Sequence, residues 1–523
     1  MNTAFASSQS LTNLAHLDRE NLERFGIYDR LYFEGRSYTN LEEICLAGSL
    51  ACLLRDYGVG PGDRVVVMMP NSPSLTAAFP AIWTIGATIV PVIPQWTTPE
   101  VAEIFRNSGA TIALTIPQLA PRLAQAAQAI GSLRHLLVLG EAEIPGAINI
   151  SPLLANAVPI ETPVDRSPDD PAILLYTSGT TGMPKGVILT HANFFAALDG
   201  VLRQNPKLGP GPMLHPLPLT HVYGVLMQFL GNRWGISSVL LPYFEPKRVL
   251  EAIERYRVQY MPVVPTMLVY LLNHPERQRF DVSSLTHITS GGAALPERLR
   301  VDFERAFGCH VLQGYGLSES ASIATTYQLE QAYRPGSAGL PVPGVEIRIQ
   351  DDQDQQLPPR CVGEICLSGP NVTAGYWRDP ESSRQAIRNG WLHTGDVGYL
   401  DEEGYLFITD RKKDLIIKGG ENISPREIEE MLYLHPAVAE AAVVGVPDPV
   451  YGEDIWAVVQ LKRGAEANES DLRQHVAQFA TKFKVPSHVI LVDALPMNSN
   501  GKILKRTIRE QLAAGALASH AAG

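Results

Sequence analysis

A glycine- and hydroxyl-rich segment with one lysine is the part of the chain best suited to chemistry. Residues Tyr176–Gly186 read Tyr-Thr-Ser-Gly-Thr-Thr-Gly-Met-Pro-Lys-Gly and directly follow the apolar run Ala172–Leu175. Glycines such as Gly179 and Gly182 let backbone N–H groups turn toward an anion, and Lys185 adds a positive charge. Further donors are the hydroxyls of Thr177, Ser178, Thr180 and Thr181. The segment is therefore predicted to bind a polyphosphate.

The loop is not a Walker A motif. That motif requires glycine directly before the lysine and serine or threonine directly after it. Here Pro184 precedes Lys185 and Gly186 follows it, which indicates a different nucleotide loop. A plain glycine turn between two strands is the other interpretation, but such turns rarely concentrate so many hydrogen-bond donors.

The composition is that of a globular protein with room for several domains. The chain has 523 residues, of which 45% are apolar and 19% are charged, so an ample core is expected. Its net charge is -11, without a long block of either sign. This balance argues against a dedicated binder of nucleic acid or of anionic membranes.

Targeting segments and disulfides are not expected. Met1–Arg24 has acidic residues and no apolar stretch of signal-peptide length, which favours a cytoplasmic enzyme. Cys361 and Cys366 are the only close cysteine pair and lack the partners of a zinc site, so reduced, buried thiols are expected. Prolines and a glycine interrupt the most apolar window, Ala77–Pro94, which predicts a helix and then a strand rather than a membrane span.

Helical patterns alternate with short apolar runs through most of the first 400 residues. This alternation predicts α/β layers with parallel sheets. After Arg334, short β-runs between glycines and prolines predict a small β-rich subdomain over residues 334–410. The clearest predicted elements of the first part are the helices Asn40–Tyr57 and Pro99–Ser108 and the strands Arg64–Met69, Ala87–Val92 and Thr111–Leu114.

A charged break at Asp410–Asp414 precedes a second, smaller predicted domain. Ser424 is a candidate helix N-cap, Pro425 suits the first helical position, and Glu427 would complete a capping box. The predicted fold is thus α/β, with an N-terminal domain of layered α/β subdomains over residues 1–410 and a small α+β C-terminal domain over residues 411–523. The first predicted elements of the second domain are the helix Pro425–Leu434 and the strand Glu440–Val446.

Seven segments, in this order, resemble the adenylate-forming superfamily of acyl- and aryl-CoA synthetases, luciferases and peptide-synthetase adenylation domains. The resemblance covers nearly the whole chain, and the Gly-Gly-Glu-Asn form at Gly419–Asn422 looks most like bacterial fatty-acyl and aryl-CoA ligases. It implies a large ATP- and acyl-binding domain followed by a mobile C-terminal domain. The segments are Tyr176–Gly186, Pro216–Gly224, Ser290–Pro296, Gly314–Glu319, Gly390–Asp396, Asp410–Glu421 and Asn500–Lys502.

The resemblance implies two half-reactions. A carboxylate is joined to the α-phosphate of ATP with release of pyrophosphate, and a thiol, by default that of coenzyme A, then attacks the acyl-adenylate. Lys502 matches the lysine that bridges the α-phosphate and the carboxylate, Glu319 matches a Mg²⁺ ligand, and His221 matches the residue that gates carboxylate entry. Such groups contribute by positioning and electrostatics.

The resemblance also implies a set of nucleotide contacts. Asp396 matches the carboxylate that accepts both ribose hydroxyls, Arg411 matches a second ribose or phosphate contact, and Tyr315 is expected to lie flat against adenine. Ser318 replaces the threonine commonest before Glu319, and either hydroxyl can reach the α-phosphate. Further implied cofactor-binding residues are Gly292, Ala293, Ala294, Gln313, Gly314 and Gly316.

Lys413 matches the hinge about which the C-terminal domain rotates between half-reactions. The rotation would remove Lys502 and bring Gly419 and Gly420 to the thiol site, where glycine permits close approach of the pantetheine arm. Ile417 stands where many relatives have a second lysine, so no role of that lysine is carried over to this chain.

The positions that match the acyl pocket of relatives carry no charge. This implies an apolar tail: a medium- or long-chain fatty acid is favoured, and benzoate- or cinnamate-type acids and loading of a separate acyl carrier protein are alternatives. The stretch Val222–Leu230 has no acid, which disfavours an amino-acid substrate. The matching positions are Tyr223, Met227, Thr289, Gly292, Gly314, Ala321 and Ile323.

Two other classes share this sequence pattern. A luciferase-like oxidase would keep every ATP residue. A catalytically silent scaffold is disfavoured because the charged residues that match the reaction are present, namely Lys185, Glu319, Asp396, Arg411 and Lys502. The expected partners are a small carboxylic acid and CoA, and the expected assembly is a monomer or homodimer.

Overall fold

The computed structural model describes residues 12–141, 144–177, 184–206, 208–209, 211–329, 331–497 and 502–517. It is a mixed α/β structure, which confirms the predicted fold class. Its helices, numbered in chain order, are α1 His16–Phe25, α2 Asn40–Asp56, α3 Pro73–Thr84, α4 Thr98–Ser108, α5 Ala120–Gln128, α6 Ser151–Leu154, α7 His191–Gln204, α8 Val222–Trp234, α9 Pro246–Tyr256, α10 Pro265–Leu272, α11 Glu297–Phe307, α12 Pro380–Ala386, α13 Pro425–Tyr433, α14 Glu469–Ala477 and α15 Lys505–Ala513.

Two seven-stranded sheets form the large N-terminal part. Their strands are β1 Asp29–Phe33, β2 Arg36–Thr39, β3 Arg64–Met68, β4 Thr88–Pro91, β5 Ile112–Thr115, β6 His135–Val138, β7 Ala147–Asn149, β8 Pro171–Thr177, β9 Lys185–Thr190, β10 Met213–His215, β11 Ser238–Leu240, β12 Tyr260–Val263, β13 His287–Ser290 and β14 His310–Gln313. One sheet has the order β7-β6-β5-β3-β4-β8-β9 and the other β14-β13-β12-β10-β11-β1-β2, and each is parallel except for one antiparallel edge pair.

Helices packed on these sheets build several apolar cores, and the largest contains aromatic residues of α3, α7 and α8. The ring of Phe229 on α8 lies 6.1 Å from Phe79 and 5.2 Å from Trp83, both on α3, and 6.0 Å from Phe194 on α7. Strands covered on both faces are apolar throughout, as parallel strands must be. This core fixes α8 and the strand ends beneath it, where the site residues lie.

The β-rich and C-terminal parts have smaller sheets of their own. The sheet of the β-rich part has the strand order β17-β18-β20-β19, with β21 beside β20. The sheet of the C-terminal part has the order β23-β22-β25-β24, with β26 beside β25. The remaining strands are β15 Thr325–Thr326, β16 Leu340–Pro341, β17 Glu346–Gln350, β18 Gly363–Ser368, β19 Ile387–Arg388, β20 Trp391–Leu400, β21 Leu406–Arg411, β22 Ile416–Lys418, β23 Glu421–Ile423, β24 Val438–Asp448, β25 Gly452–Leu461 and β26 His488–Val492. The division of the chain at residue 410 stays a prediction.

Most predicted elements begin and end within two residues of the observed ones, but two local expectations are wrong. Ser424 caps α13 by accepting the Glu427 N–H, whereas the Glu427 carboxylate pairs with Lys484 at 2.7 Å instead of completing a capping box. All five cysteines are free as expected, yet Cys45 and Cys361 are exposed rather than buried. Within the described ranges, no helix has the length and apolarity needed to cross a membrane.

Candidate active site

The predicted phosphate loop connects two antiparallel strands. Thr177 ends β8 and pairs with Lys185, which begins β9. The Lys185 ammonium donates a hydrogen bond to Ser382 Oγ at 2.6 Å and lies 5.6 Å from the centre of the Tyr376 ring. The predicted donors Ser178, Gly179, Thr180, Thr181 and Gly182 lie outside the described residues, so their role stays a prediction.

Tyr376 joins this loop to the predicted metal ligand. Its backbone forms a bridge with Val187 on β9, and its hydroxyl donates to Glu319 Oε1 at 2.9 Å. Burial, with the Glu319 charge next in effect, raises the pKa of Tyr376 above its ordinary range, so the phenol remains a donor at working pH. Lys185, Tyr376 and Glu319 therefore form one group, and the sequence analysis did not predict that Tyr376 belongs to it.

Glu319 lies on a tight turn after β14. The turn needs glycine at position 316, because a Cβ there would meet Ser322 O at 2.0 Å. Ala321 and Ser322 have left-handed φ angles of 48° and 79°, a conformation that costs free energy and is tolerated where a site fixes the backbone. The close-packed turn holds the Glu319 carboxylate in a defined place.

A magnesium ion fits Glu319 only together with a nucleotide. Carboxylate oxygen is a donor that Mg²⁺ prefers, and Mg²⁺ sites of phosphate-transfer enzymes use one or two carboxylates plus substrate phosphates and water. No group of three His, Cys, Asp or Glu side chains that could hold a metal occurs among the described residues. Glu319 would hold the ion, which would supply charge neutralisation at the phosphates.

Asp396 is the centre of the predicted ribose site. Asp396 and Arg411 lie directly opposite each other on β20 and β21. Arg411 Nε donates to Asp396 Oδ1 at 2.6 Å, and the Tyr315 hydroxyl donates to Oδ2 at 2.8 Å. Each carboxylate oxygen has a second lone pair, so Asp396 retains the capacity to accept two ribose hydroxyls. The structure thus joins three of the predicted nucleotide residues.

The remaining predicted nucleotide residues follow the carboxyl ends of β13 and β14. In parallel α/β sheets this edge is where ligands bind. Gln313, the last residue of β14, is buried, whereas Gly292 and Ala294, after β13, are exposed and form an open surface. Gly292 has a φ of 78°, which favours glycine. The other residues of this edge are Ala293, Gly314, Gly316 and Ser318.

His221 is the N-cap of α8. Its Nδ1 accepts the Tyr223 N–H at 3.3 Å, so the neutral ring carries its proton on Nε2. Burial, with a smaller contribution from the charge of Lys502, lowers the pKa of His221 to about 4. At working pH His221 is therefore a neutral donor that faces the region of Lys502.

Lys502 of the C-terminal part lies beside the predicted ribose site. Burial of its ammonium group, together with the charge of Arg411, lowers the pKa of Lys502 to about 8, against the opposing effect of Asp396. The residue as a whole stays exposed, so the ammonium lies in a crowded cleft that solvent still reaches. Pro496 O accepts the Leu504 N–H at 2.8 Å and fixes the backbone just after Lys502.

The predicted acyl-pocket residues gather between α8 and the second sheet. The Tyr223 hydroxyl donates to Thr289 O at 2.8 Å, and the Tyr260 hydroxyl contacts Thr289 Oγ1 at 2.5 Å. A Cβ on Gly314 would lie 3.8 Å from the Thr289 methyl group, so these strand ends are close neighbours. Met227, Ala321 and Ile323 are buried. Tyr260 is a neighbour that the sequence did not reveal.

Comparison with known proteins identifies the family. A family model described as AMP-binding enzyme matches residues 19–377, and one described as AMP-binding enzyme C-terminal domain matches residues 427–502. The chain belongs to the AMP-binding enzyme family. The predicted resemblance to the adenylate-forming superfamily is thereby confirmed.

Two curated relatives span nearly the whole of this AMP-binding enzyme. A long-chain-fatty-acid–CoA ligase of Bacillus subtilis (strain 168) is 34% identical over 94% of this chain and 93% of its own length. A feruloyl-CoA synthase of an Amycolatopsis species is 36% identical over 91% of this chain and 94% of its own length. The family of acid–CoA ligases is thus shown, with both aliphatic and aromatic acids among the names of its relatives.

Solved structures agree with the fold and with its domain arrangement. The anthranilate CoA ligase AuaEII in complex with anthranoyl-AMP has a TM-score of 0.91 at 26% identity, covering 98% of this chain and 99% of its own. MatB from Rhodopseudomonas palustris is 30% identical over 95% of this chain and 99% of its own, with a TM-score of 0.85 for its ATP-bound structure and 0.76 for its apo structure. The structure of this AMP-binding enzyme is thus more similar to ATP-bound MatB than to apo MatB.

The pKa of Lys502 predicts the pH dependence of adenylate formation by this AMP-binding enzyme. In the nucleotide-free enzyme the cation is present below a pH of about 8 and is lost above it, so kcat/KM for ATP in pyrophosphate release should fall as the pH rises through that value. The check is the pH profile of this kcat/KM, which reports groups of the free enzyme, between pH 6 and 10, a range of about two pKa units on either side. The same profile for Lys502→Arg is the control, since arginine stays charged throughout; an identical fall in that variant would contradict the prediction.

The predicted thiol-site glycines lie on the turn between β22 and β23. Gly419 and Gly420 have φ angles of 57° and 86°, which favour glycine, and Gly419 N–H donates to Tyr451 O at 2.7 Å. Lys418 beside them is buried and pairs with Asp454 at 2.8 Å. In the described part of the chain, none of the hydrogen bonds of Gly419 and Gly420 reaches the ATP-site residues, so their role stays a prediction.

Proposed function

We propose that this enzyme is an ATP-dependent acid–thiol ligase that acts on an apolar carboxylic acid, with a medium- or long-chain fatty acid favoured. In the first half-reaction a carboxylate oxygen bonds to the α-phosphorus of ATP and the bond to pyrophosphate breaks. In the second, the sulfur of CoA bonds to the acyl carbon and AMP leaves. The observation that carries the proposal is the position of Lys502 beside Asp396 and Arg411, with His221 facing it.

Lys502 is the proposed cation of the first half-reaction. Negative charge on the α-phosphate and on the attacking carboxylate opposes their approach, and a cation held between them lowers that barrier. Such preorganised charge is a large term in catalysis because it needs no rearrangement during the reaction. His221, neutral with its proton on Nε2, would add a hydrogen bond to an oxygen in the same cleft.

The other charged residues would bind and orient the nucleotide. Asp396 would accept the ribose hydroxyls, held in place by its bonds from Tyr315 and Arg411. Lys185 would exchange its bond to Ser382 for a phosphate oxygen, beside the carboxylate of Glu319. Correct orientation of two reactants is worth several orders of magnitude in rate.

An aromatic acid is the second candidate substrate. The two tyrosine hydroxyls at Thr289 place a rigid wall at the predicted pocket, and such a wall suits a flat ring. Feruloyl-CoA synthase and an anthranilate CoA ligase are among the similar proteins. The uncharged lining of the predicted pocket, which includes Met227 and Ile323, is compatible with an alkyl chain and with an aromatic ring.

The second half-reaction is proposed to follow rotation of the C-terminal domain about Lys413. Lys502 and the glycine turn at Gly419–Gly420 both belong to the proposed C-terminal domain, so a rotation of that domain would move one away from the cleft as it brings the other in. The likeness to the ATP-bound form of MatB supports the adenylate-forming arrangement for the structure described. We further propose a cytoplasmic monomer or homodimer, with a free acyl carrier protein as the alternative thiol acceptor.

The test is a panel of carboxylic acids with and without CoA. Alkyl acids of increasing length, benzoates, cinnamates and amino acids are compared by pyrophosphate release, and thioester is measured separately. Release on one acid class with its CoA thioester is the expected result. Release without thioester would instead indicate a carrier-protein ligase, or an oxidase if oxygen is consumed, and no release on any acid would contradict the proposal.

A further inference from the structure

The N-terminus of α13, the first helix of the C-terminal domain, is capped in part by a residue on the other side of the proposed hinge at Lys413. Helix α13 begins at Pro425, which has no N–H, so the first free donors are the N–H groups of Arg426 and Glu427. Ser424 accepts the second of these, at 3.4 Å, as an ordinary N-cap. The Arg426 N–H donates to Asp410 Oδ2 on strand β21 at 3.1 Å.

Asp410 is bonded on both of its oxygens. Oδ2 also accepts the Ser424 hydroxyl at 2.7 Å, and Oδ1 accepts the Arg411 N–H at 2.7 Å. The residue is 8% exposed, so these bonds are shielded from water. A carboxylate at a helix N-terminus is further stabilised by the helix dipole.

Arg426 makes a second bond across the same boundary. Its guanidinium donates to Ile408 O on β21, while Nε pairs with Glu430 on its own helix at 3.0 Å. The Ser424 hydroxyl also contacts Thr409 O at 3.1 Å. Strand β21 and the start of α13 are thus joined by a set of short polar contacts.

Helix α13 also faces α11 of the large domain. A cleft of about 260 Å³ lies between Pro296–Arg298 and the residues Glu427, Glu430 and Met431 of α13. The polar contacts of Asp410, Ser424 and Arg426 with one another and with β21 are here named the interdomain clamp.

We propose that the interdomain clamp holds the enzyme in its adenylate-forming arrangement and must open before the thioester step. The clamp residues lie on opposite sides of Lys413, so rotation about that residue separates them and leaves the first N–H of α13 and the Asp410 carboxylate without these partners. Asp410, Ser424 and Arg426 are positioning residues, since they act through Lys502 and the glycine turn. The inference rests on the proposed two-arrangement function.

A weaker clamp should change the two half-reactions in opposite directions. In Ser424→Ala the bond to Asp410 is lost, so the population shifts toward the thioester arrangement, and the loss of one hydrogen bond changes such an equilibrium about 2- to 10-fold. We expect pyrophosphate release to fall and thioester formation from supplied acyl-AMP and CoA to rise, each by up to that factor. Arg426→Gln, which removes the bond to Ile408 O, should show the same pattern.

The matched control is a variant that loses a helix cap lying wholly within the C-terminal domain. Asn468 caps α14 within the C-terminal domain by accepting the Asp471 N–H at 3.0 Å, so Asn468→Ala should leave the ratio of the two half-reaction rates unchanged. Thermal unfolding of each variant verifies that it is folded. Parallel losses in both half-reactions, no change in either, or equal behaviour of Ser424→Ala and Asn468→Ala would overturn the clamp. A wild-type enzyme that releases no pyrophosphate on any acid would instead overturn the proposed function.

Discussion

Lys502→Ala is expected to lower the rate of pyrophosphate release by about 100- to 1000-fold, the range found when one preorganised charged or polar donor is removed from a transition state. The charge of Lys502 acts on the pKa of His221 and is itself affected by Asp396 and Arg411, so the ammonium is near the proposed meeting point of ATP and acid. Alanine removes the cation and introduces no new group. The measurement is the single-turnover rate of pyrophosphate release at saturating ATP and acid.

The second half-reaction separates this role from a general loss of structure. Lys502→Ala should still convert supplied acyl-AMP and CoA to thioester at nearly the wild-type rate, because Lys502 is proposed to leave the cleft before that step. Lys505→Ala, in contrast, removes the partly buried ion-pair partner of Glu429, which lies at 2.8 Å, and serves as a structural comparison. Equal loss of both half-reactions in Lys502→Ala would contradict the role assigned to it.

The order of elements could be predicted from the sequence because each signal is local. Apolar runs, prolines and glycines predicted strands such as Arg64–Met68 and the helix at Pro425 within two residues. Ser424 was predicted as a cap from its spacing alone. The ion pair of the Glu427 carboxylate could not be predicted, because its partner Lys484 is 57 residues away in sequence.

The site was predicted as a set of residues but not as a set of contacts. The pairing of Asp396 with Arg411 depends on the register of β20 and β21, and the position of Tyr376 depends on its bridge to β9. Neither follows from composition or periodicity. Tyr260 and Asp410 were missed for the same reason: a buried tyrosine and an acid in a charged run have no signature until their neighbours are known.

Lys413→Pro is expected to slow the thioester step and to spare pyrophosphate release, which is the reverse of the pattern expected for Lys502→Ala. Proline fixes φ near −65°, so the backbone at 413 loses the rotation on which the proposed domain movement depends. We expect thioester formation from supplied acyl-AMP to fall by at least about 100-fold, since a thiol that cannot reach its reacting geometry loses the benefit of orientation. The check is the rate of that step measured alone.

Pyrophosphate release should survive the same substitution, for reasons visible at the hinge. Lys413 has no positive φ, and its N–H makes no hydrogen bond within the described residues. Crowding of Lys412 by the proline ring strains the turn in which Asp414 N–H donates to Arg411 O at 2.9 Å, so a small loss is expected there. Lys413→Ala, which keeps the rotation, is the control and should retain both half-reactions. Wild-type thioester formation in Lys413→Pro would place the hinge elsewhere, and opening of the interdomain clamp would then have to occur about a different residue.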